Sequence, residues 1–445
     1  MPQRYTGEEV DVSPLGQPLY FEFSGRTAKN RFIKAAMSEH LATFDNDVFE
    51  NRGVPLPELV NVYRRWGEGG FGVLLTGNVM IAYDQLEAAE NTIIPPDATF
   101  SGDRFEAFKE LASQAKKDGS LIVAQVSHPG RQVPESIQPH PISASDVRLV
   151  AEFAGKTYAK PRPMEKADFQ SVIDGFAHAA EYLYKAGFDG IQLHGAHGYL
   201  TSQFLSLSTN KRTDEYGGTS ILNRARLITD ITHAIRARVP DPAFILSIKV
   251  NSVEFQDEGF SPEDCKLLCA ELERLKFDFV ELSGGTYQSS GFKHVRESSK
   301  KREAFFIEFA EAIIPALTKT KAYVTGGLRS AKAMADALKT VDGVGLGRPA
   351  THEFDLPAKI LAGSASGAID VLIREDDFGK AVMAAGLQLK IVGNDKQPLD
   401  LSHSGHLKVL DDAIAKWASG AVPFGDLAAF SIELNPYGTE YQNLA

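Results

Sequence analysis

The sequence predicts an α/β chain folded as a (β/α)8 TIM barrel, with long loops after strands 3, 4 and 6 and a C-terminal extension. Three observations carry that prediction. Between about residues 30 and 350, eight β-rich apolar runs alternate with longer helical patterns, the mark of repeated βα units and a parallel sheet. The long irregular segments (127–165, 195–220 and 284–300) follow runs 3, 4 and 6, while the returns from helix to strand are short, and a barrel elaborates the C-terminal ends of its strands. The segment after the first run, "KAAMSEHLA", holds no glycine, where an open dinucleotide-binding sheet would carry its fingerprint.

Taken in order, strand 1 is "RFIKAAM" (31–37). Helix "PELVNVYRRWGEGG", with proline at its start and glycines at its stop, leads to strand 2, "FGVLLTG" (71–77). "DRFEAFKELASQAKKDG" leads to strand 3, "LIVAQV" (121–126), and "ADFQSVIDGFAHAAEYLYKAG" to strand 4, "FDGIQLH" (188–194). "NRARLITDITHAIRARV" precedes strand 5, "FILSIKV" (244–250), and "PEDCKLLCAELERL", opened by Ser261, precedes strand 6, "FDFVELS" (277–283). "REAFFIEFAEAIIPAL" and "SAKAMADAL" precede strand 7, "KAYVTG" (321–326), and strand 8, "VDGVGLG" (341–347). Residues 1–365 are read as the barrel with its N-terminal segment. Residues 366–445 are read as an extension packed on it, with one clear amphipathic stretch, "SGHLKVLDDAIAKWASG", and an irregular approach through "LKIVGNDKQPLDLSHS".

With 445 residues and 43 % hydrophobic composition, the chain can bury a core of this size. Its net charge is −11 with no Lys/Arg block, which removes the electrostatic footprint for nucleic acid or anionic lipid. Cys265 and Cys269 are too few for a four-sulfur zinc or iron–sulfur site, and their spacing reads as core thiols on one helical face. "MPQRYTGEEVDVSPLG" lacks a leader pattern and no apolar run approaches a membrane span, so the expectation is a cytoplasmic protein acting on small molecules, its oligomeric state open.

Strand 7 runs into "TGGLRS" and strand 8 into "LGRP". Gly326, Gly327 and Gly347 let backbone N–H groups approach an anion, and Arg348 adds a forked donor, at the two loops that commonly bind phosphate in this fold. Gln125, His194 and Lys249 sit near the ends of strands 3, 4 and 5, where a parallel strand is usually apolar. They point either to a bound polar heterocycle or, for Lys249, to a salt bridge inside the barrel. His194 and His197, just past strand 4, could donate to one carbonyl oxygen, and Tyr199, unperturbed near about 10, would remain protonated as an acid beside them. The alternatives are core histidines at a strand end, or a metal-dependent aldolase or hydrolase with His194 and His197 as ligands, for which neither an HExxH motif nor an inward carboxylate at the other strand ends supplies further partners.

The stretch "HGAHGYLTSQFLSLSTNKRTDEYGGTSILNRAR" (194–226) resembles the strand-4 signature of the old yellow enzyme family, flavin-dependent NAD(P)H oxidoreductases on a TIM barrel. The resemblance extends to "NRFIKAAMSEHLA", "QVSHPGRQ", "IKVNSVEFQDEGFS", "LSGGTY" with "REAFF", "VTGGLRS" and "LGRP", from about residue 20 to residue 360. It implies FMN across the barrel mouth, with Ala36, Met37 and Ser38 at the flavin edge, Gly77 and Gln125 on the ring, and Lys249 on its N1/O2 side. Gly326, Gly327, Gly347 and Arg348 would hold the phosphate. His194 and His197 would grip the substrate carbonyl, His194 also bordering the flavin, while Tyr199 donates the proton. The implied reaction takes hydride from NAD(P)H and passes it to the β-carbon of an enone or quinone-like substrate. Leu207, Thr76, His40 and Ser38 depart from the pattern: proline is common at the first, an acid at the second, an aromatic substrate contact at the third, and Thr or Cys at the last. A barrel that binds flavin without turnover is the third reading.

Overall fold

The computed structural model describes residues 2–6, 8–150, 156–253, 259–284, 310–311, 313–374 and 376–440. Eight strands pair in parallel around a closed ring: β1 (Phe32–Lys34), β2 (Val73–Met80), β3 (Leu121–Ser127), β4 (Gly190–Gly195), β5 (Ile245–Val253), β6 (Phe279–Gly284), β7 (Lys321–Thr325) and β8 (Gly343–Leu346). Each pairs with the next, and β8 returns to β1. The chain is therefore a (β/α)8 barrel, with every strand within three residues of its predicted bounds. The predicted loop after strand 6 and most of the helix "REAFFIEFAEAIIPAL" lie outside the described residues.

The barrel floor is filled from inside by Ile33, Val73, Leu75, Val123, Ile245, Phe279 and Tyr323. An N-terminal hairpin, Leu19–Tyr20 with Thr27–Ala28, closes it from below, placing Phe21 5.4 Å from the Phe279 ring. Full burial of each such side chain is worth about 1.5–3 kcal/mol. On β8 the inward positions must be small: a side-chain carbon at Gly343 would lie 2.2 Å from the Tyr323 ring, and one at Gly345 would lie 1.8 Å from the Thr325 hydroxyl. Glycine at both is what lets β7 carry a ring and a hydroxyl inward.

Helices α1 (Pro57–Glu68), α2 (Asp103–Lys116), α3 (Lys166–Lys185), α4 (Leu200–Leu205), α5 (Arg226–Arg238), α6 (Pro262–Arg274) and α7 (Ala331–Ala337) surround the sheet. In α1 the buried residues Leu59, Val62, Tyr63 and Trp66 fall at i, i+3, i+4 and i+7, one helical stripe against the wall. Ser261 caps α6 by accepting the Asp264 N–H at 3.1 Å, and Cys265 and Cys269 are buried free thiols on its inner face.

Beyond the barrel, α8 (Phe378–Gly393) and α9 (Ser404–Ala418) share an apolar cluster that includes Leu387, Ile391, Leu401, Val409 and Leu410. Only α9 is predicted from sequence, and "LKIVG", read as irregular, is the last turn of α8. The correction has a simple cause: α8 is apolar on most sides and lacks the polar stripe that reveals a helix. It packs on α1, where Asn61 donates to the Gly393 carbonyl at 3.0 Å. Among the described residues no helix is long and apolar enough to cross a membrane.

Candidate active site

A shift of register between Leu75 and Asn78 breaks the β2–β3 ladder, and it turns β2 so that Asn78, rather than Thr76, faces the mouth. The Thr76 hydroxyl instead accepts the Gln125 N–H at 2.9 Å. Beneath the mouth lies a buried polar layer. Gln125 donates to Gln192 at 2.7 Å, Gln192 to Glu281 at 2.9 Å, and the Thr325 hydroxyl to Glu281 at 2.6 Å. Lys249 pairs with the same carboxylate at 3.0 Å, with 3 % and 0 % of the two side chains exposed. The salt-bridge reading of Lys249 thus has its partner, and two charges that would be prohibitive singly are carried together.

His194 ends β4 above this layer. Its Nδ1 lies 2.7 Å from Asn78 Oδ1 and 3.3 Å from the Ser127 hydroxyl, and its Nε2 lies 3.3 Å from His197 Nδ1. His197 Nε2 meets the Ser283 hydroxyl at 3.0 Å. The turn that delivers His197 requires a left-handed backbone, φ 58° at His197 and 78° at Gly198, a conformation costing about 1–2 kcal/mol at a residue with a side chain. Asn251 steadies it by accepting the His197 N–H at 3.2 Å. Burial, then the charges of His197 and Lys249, hold the His194 imidazole well below its ordinary range; burial and Lys249 bring His197 down to about 3. Both rings are neutral near pH 7. In this arrangement they bond to one another instead of converging with two free N–H groups on one point.

Tyr199 stacks on His194 with ring centres 3.9 Å apart, its ring buried among Met80, Leu86 and Ile93. Asn78 Nδ2 donates to the phenol oxygen at 3.1 Å, and the phenol donates to Glu87. Glu87 also takes the Ser38 hydroxyl at 2.5 Å. Burial pushes the Glu87 carboxyl up, but Lys156, His40 and the Ser38 and Tyr199 hydroxyls outweigh it, leaving the group below its usual range and ionised. His40, at φ 55°, faces this segment with Nδ1 3.3 Å from the Ala89 carbonyl. Gly77 lies behind the strand-1 loop: its N–H goes to Glu39 at 2.7 Å, and an added side-chain carbon would lie 2.2 Å from both Glu39 and the Met37 carbonyl. Ala36, Met37 and Ser38 are half-buried on the mouth side of that loop.

Across the mouth, Gly326 and Gly327 have φ 135° and 76°, and with Gly347 and Arg348 they are half-buried at the rim. A side-chain carbon at Gly347 would meet only the Met37 sulfur, at 3.8 Å, so backbone there is open to close approach. His352 is buried with no hydrogen-bond partner for Nδ1, and burial together with Arg348 and Arg329 lowers it to about 3. Amides, two guanidiniums and a buried ring nitrogen without a partner suit a phosphate dianion, so the residues fit the FMN phosphate.

The sequence reading did not single out Asn78, Glu87, Gln192, Glu281, Ser283 or His352. Glu281 on β6 corrects the expectation that no inward carboxylate stands at the other strand ends; like Gln192, two residues before His194, it could have been found by period-two alternation. Asn78 requires knowledge of the irregular ladder, and Glu87 lies in the loop "IAYDQLEAAE" without any pattern. Among the described residues no group of three or more His, Cys, Asp or Glu side chains is arranged to hold a metal ion.

A closed βα barrel with glycine-rich loops and guanidiniums after β7 and β8 and a neutral imidazole–phenol group after β4 fits the class of barrel enzymes that hold a phosphorylated cofactor at the mouth. The sequence matches the profile of the NADH:flavin oxidoreductase / NADH oxidase family over residues 14–366. It is 49 % identical over 415 residues to the NADH-dependent flavin oxidoreductase nadA of Aspergillus parasiticus, covering 92 % of this chain and 93 % of that one. The fold is similar to the old yellow enzyme homologue from Zymomonas mobilis, with TM-score 0.65 and 25 % identity over 80 % of this chain and 95 % of that one. It is also similar to morphinone reductase in complex with tetrahydroNAD, with TM-score 0.62 and 22 % identity over 80 % and 92 %. The chain belongs to the NADH:flavin oxidoreductase family, the old yellow enzyme group of FMN-dependent NADH oxidoreductases.

Proposed function

We propose that this chain reduces the activated C=C bond of α,β-unsaturated carbonyl compounds, with NADH or NADPH as reductant. The observation that carries this reading is the buried phenol of Tyr199, stacked on neutral His194 and linked to it through Asn78, with His194 bonded in turn to His197. Gly326, Gly327, Gly347 and Arg348 would hold the FMN phosphate, with Ala36, Met37, Ser38, Gln125 and Lys249 around the ring. The chemistry supplied by bound FMN is two-electron transfer between a nicotinamide and a carbon acceptor.

The chain's own residues supply the rest. His194 and His197 orient the carbonyl and stabilise charge developing on its oxygen, which requires the oxygen to replace the bond the rings make with each other. Tyr199 holds a proton at its phenol oxygen for the α-carbon. The apolar packing of Met80, Leu86 and Ile93 around that phenol excludes water from the transfer. His40 lines the same end and bears on substrate shape.

Tyr199→Phe tests the reading in anaerobic stopped-flow measurements on the yellow holoenzyme. Bleaching of the flavin band by NADH should be unchanged, while reoxidation by cyclohex-2-enone slows about 10²- to 10⁴-fold, the usual worth of a positioned acid. Equal loss in both half-reactions would remove the proton-donor role. A colourless preparation that takes up no FMN would remove the whole reading.

A further inference from the structure

The two imidazoles belong to a longer file of hydrogen bonds that ends on a carboxylate. From one end it runs Ser283, His197, His194, Asn78, Tyr199 and Glu87, each linked to the next through side-chain atoms. The donor at every link follows from the last member. An ionised carboxylate can only accept, so Tyr199 gives its hydrogen to Glu87. The phenol oxygen then accepts from the amide nitrogen of Asn78, which turns the Asn78 oxygen towards His194 Nδ1 and requires a hydrogen there. A neutral imidazole carries one N–H, so His194 Nε2 is a lone pair that accepts from His197 Nδ1, and His197 Nε2 accepts from Ser283. All the hydrogens point towards Glu87.

This direction conflicts with the work the pair has to do. A substrate carbonyl gripped by His194 needs a hydrogen on Nε2, where the file leaves none. Supplying it means moving the hydrogen from Nδ1 to Nε2, turning over the Asn78 amide and directing the Tyr199 hydroxyl at the amide oxygen. The phenol oxygen would then face Glu87 lone pair to lone pair, unless the carboxyl itself brings a hydrogen. His197 already carries its hydrogen on Nδ1, so the reversal runs from His194 to Glu87; it takes up one proton, and Glu87 is where it fits.

We infer that Glu87 is a positioning residue that sets the tautomers of His194 and His197, and that seating a carbonyl ligand between the imidazoles is coupled to protonation of Glu87. The inference rests on the reading of His194 and His197 as the carbonyl grip. Lys156 faces Glu87 with positive charge and His40 lies beside it, Ser38 and Asn91 donate to its other oxygen, and Tyr158 and Tyr199 are its phenolic neighbours. Lys249 is the cation facing the imidazoles. These charges resist the uptake, so the coupling appears as a pH dependence of binding.

The test titrates oxidised holoenzyme, which cannot turn over, with cyclohex-2-enone from pH 6 to pH 8, following the flavin spectrum. Wild-type affinity should fall with rising pH by up to about tenfold per unit, the limit for uptake of one proton. Glu87→Gln, whose amide terminates the file in either direction, should bind with little pH dependence. Nitrogen-15 spectra of the histidines give the second readout: ligand-free wild-type protein should show His194 as the Nδ1–H tautomer, shifting to Nε2–H on binding. A flat wild-type profile, or His194 already in the Nε2–H form, overturns the inference. Its failure is distinguishable from failure of the proposed reaction, because tautomer and binding are read without turnover, whereas Tyr199→Phe reports on proton delivery alone.

Discussion

The two sides of the barrel mouth satisfy their polar groups in opposite ways. On the β2–β6 side every named group is tied to another side chain, from Glu281 and Lys249 in the layer below to His194, His197 and Tyr199 above. On the β7–β8 side the donors are backbone amides of glycines and guanidiniums at a half-buried rim, and the buried His352 Nδ1 has no hydrogen-bond partner. The contrast teaches which side works by changing partners and which by providing a fixed cradle. A group that must grip and release a neutral carbonyl can keep internal partners to exchange. An anion held permanently needs backbone amides and guanidiniums that it can reach at the rim.

Acid should break this arrangement on both sides at once, and it is the largest effect expected. His197 on one side, His352 on the other and His128 beneath the strand-3 loop are each lowered to about 3, with burial as the leading cause. An unfolded imidazole takes its proton near about 6.5 while these folded ones wait until about 3, so between those values the unfolded state binds more protons. The stability they contribute is fully present above pH 6.5 and is lost as pH falls towards 3. Thermal unfolding between pH 7 and pH 5 should show a falling Tm. In His128→Asn, which keeps an acceptor for the Gly130 N–H, the slope should flatten. A Tm that holds steady to pH 5 would mean these rings are not buried neutral.

Next in size is the ion pair under the β2–β6 side. Lys249→Met leaves Glu281 buried without its cation and should cost about 3–5 kcal/mol in urea unfolding. Adding Glu281→Gln should return much of that loss, because removing both charges of a buried pair is far cheaper than removing one. A single variant as stable as wild type would show that Gln192 and Thr325 alone satisfy the carboxylate.

The fold was legible because each βα unit announces itself locally, as apolar run, helix stripe and stop residue. The strands most buried, such as β4, were no harder to find than the others. The extension was half legible: α9 has a polar face to contrast with its apolar one, and α8, covered on most sides, does not. In the site, His194, His197 and Tyr199 stood out by composition and position, and the structure brings them together. Their partners did not, for physical reasons. Asn78 reaches the mouth only through an irregularity in pairing, and Glu87 meets Tyr199 across 112 positions of sequence, from a loop whose course no periodicity records. A residue's chemistry can be read from its type, but a partner chosen by tertiary approach has no local signature.

The smallest effect separates the two sides most sharply. Arg348→Ala removes one forked donor from the β7–β8 cradle and leaves the imidazole file, the ion pair and the backbone amides of Gly326, Gly327 and Gly347 in place. A hydrogen bond to a charged group is worth about 1.5–3 kcal/mol, so FMN affinity of the apoprotein, followed by quenching of flavin fluorescence, should fall about 10- to 100-fold. Riboflavin, which has the ring and ribityl chain without the phosphate, should bind wild type and variant with nearly equal affinity. That pairing of ligands makes the result specific. Equal losses for both would mean that Arg348 acts through the surrounding fold, and that the contrast between a fixed cradle and an exchangeable network does not hold at this residue.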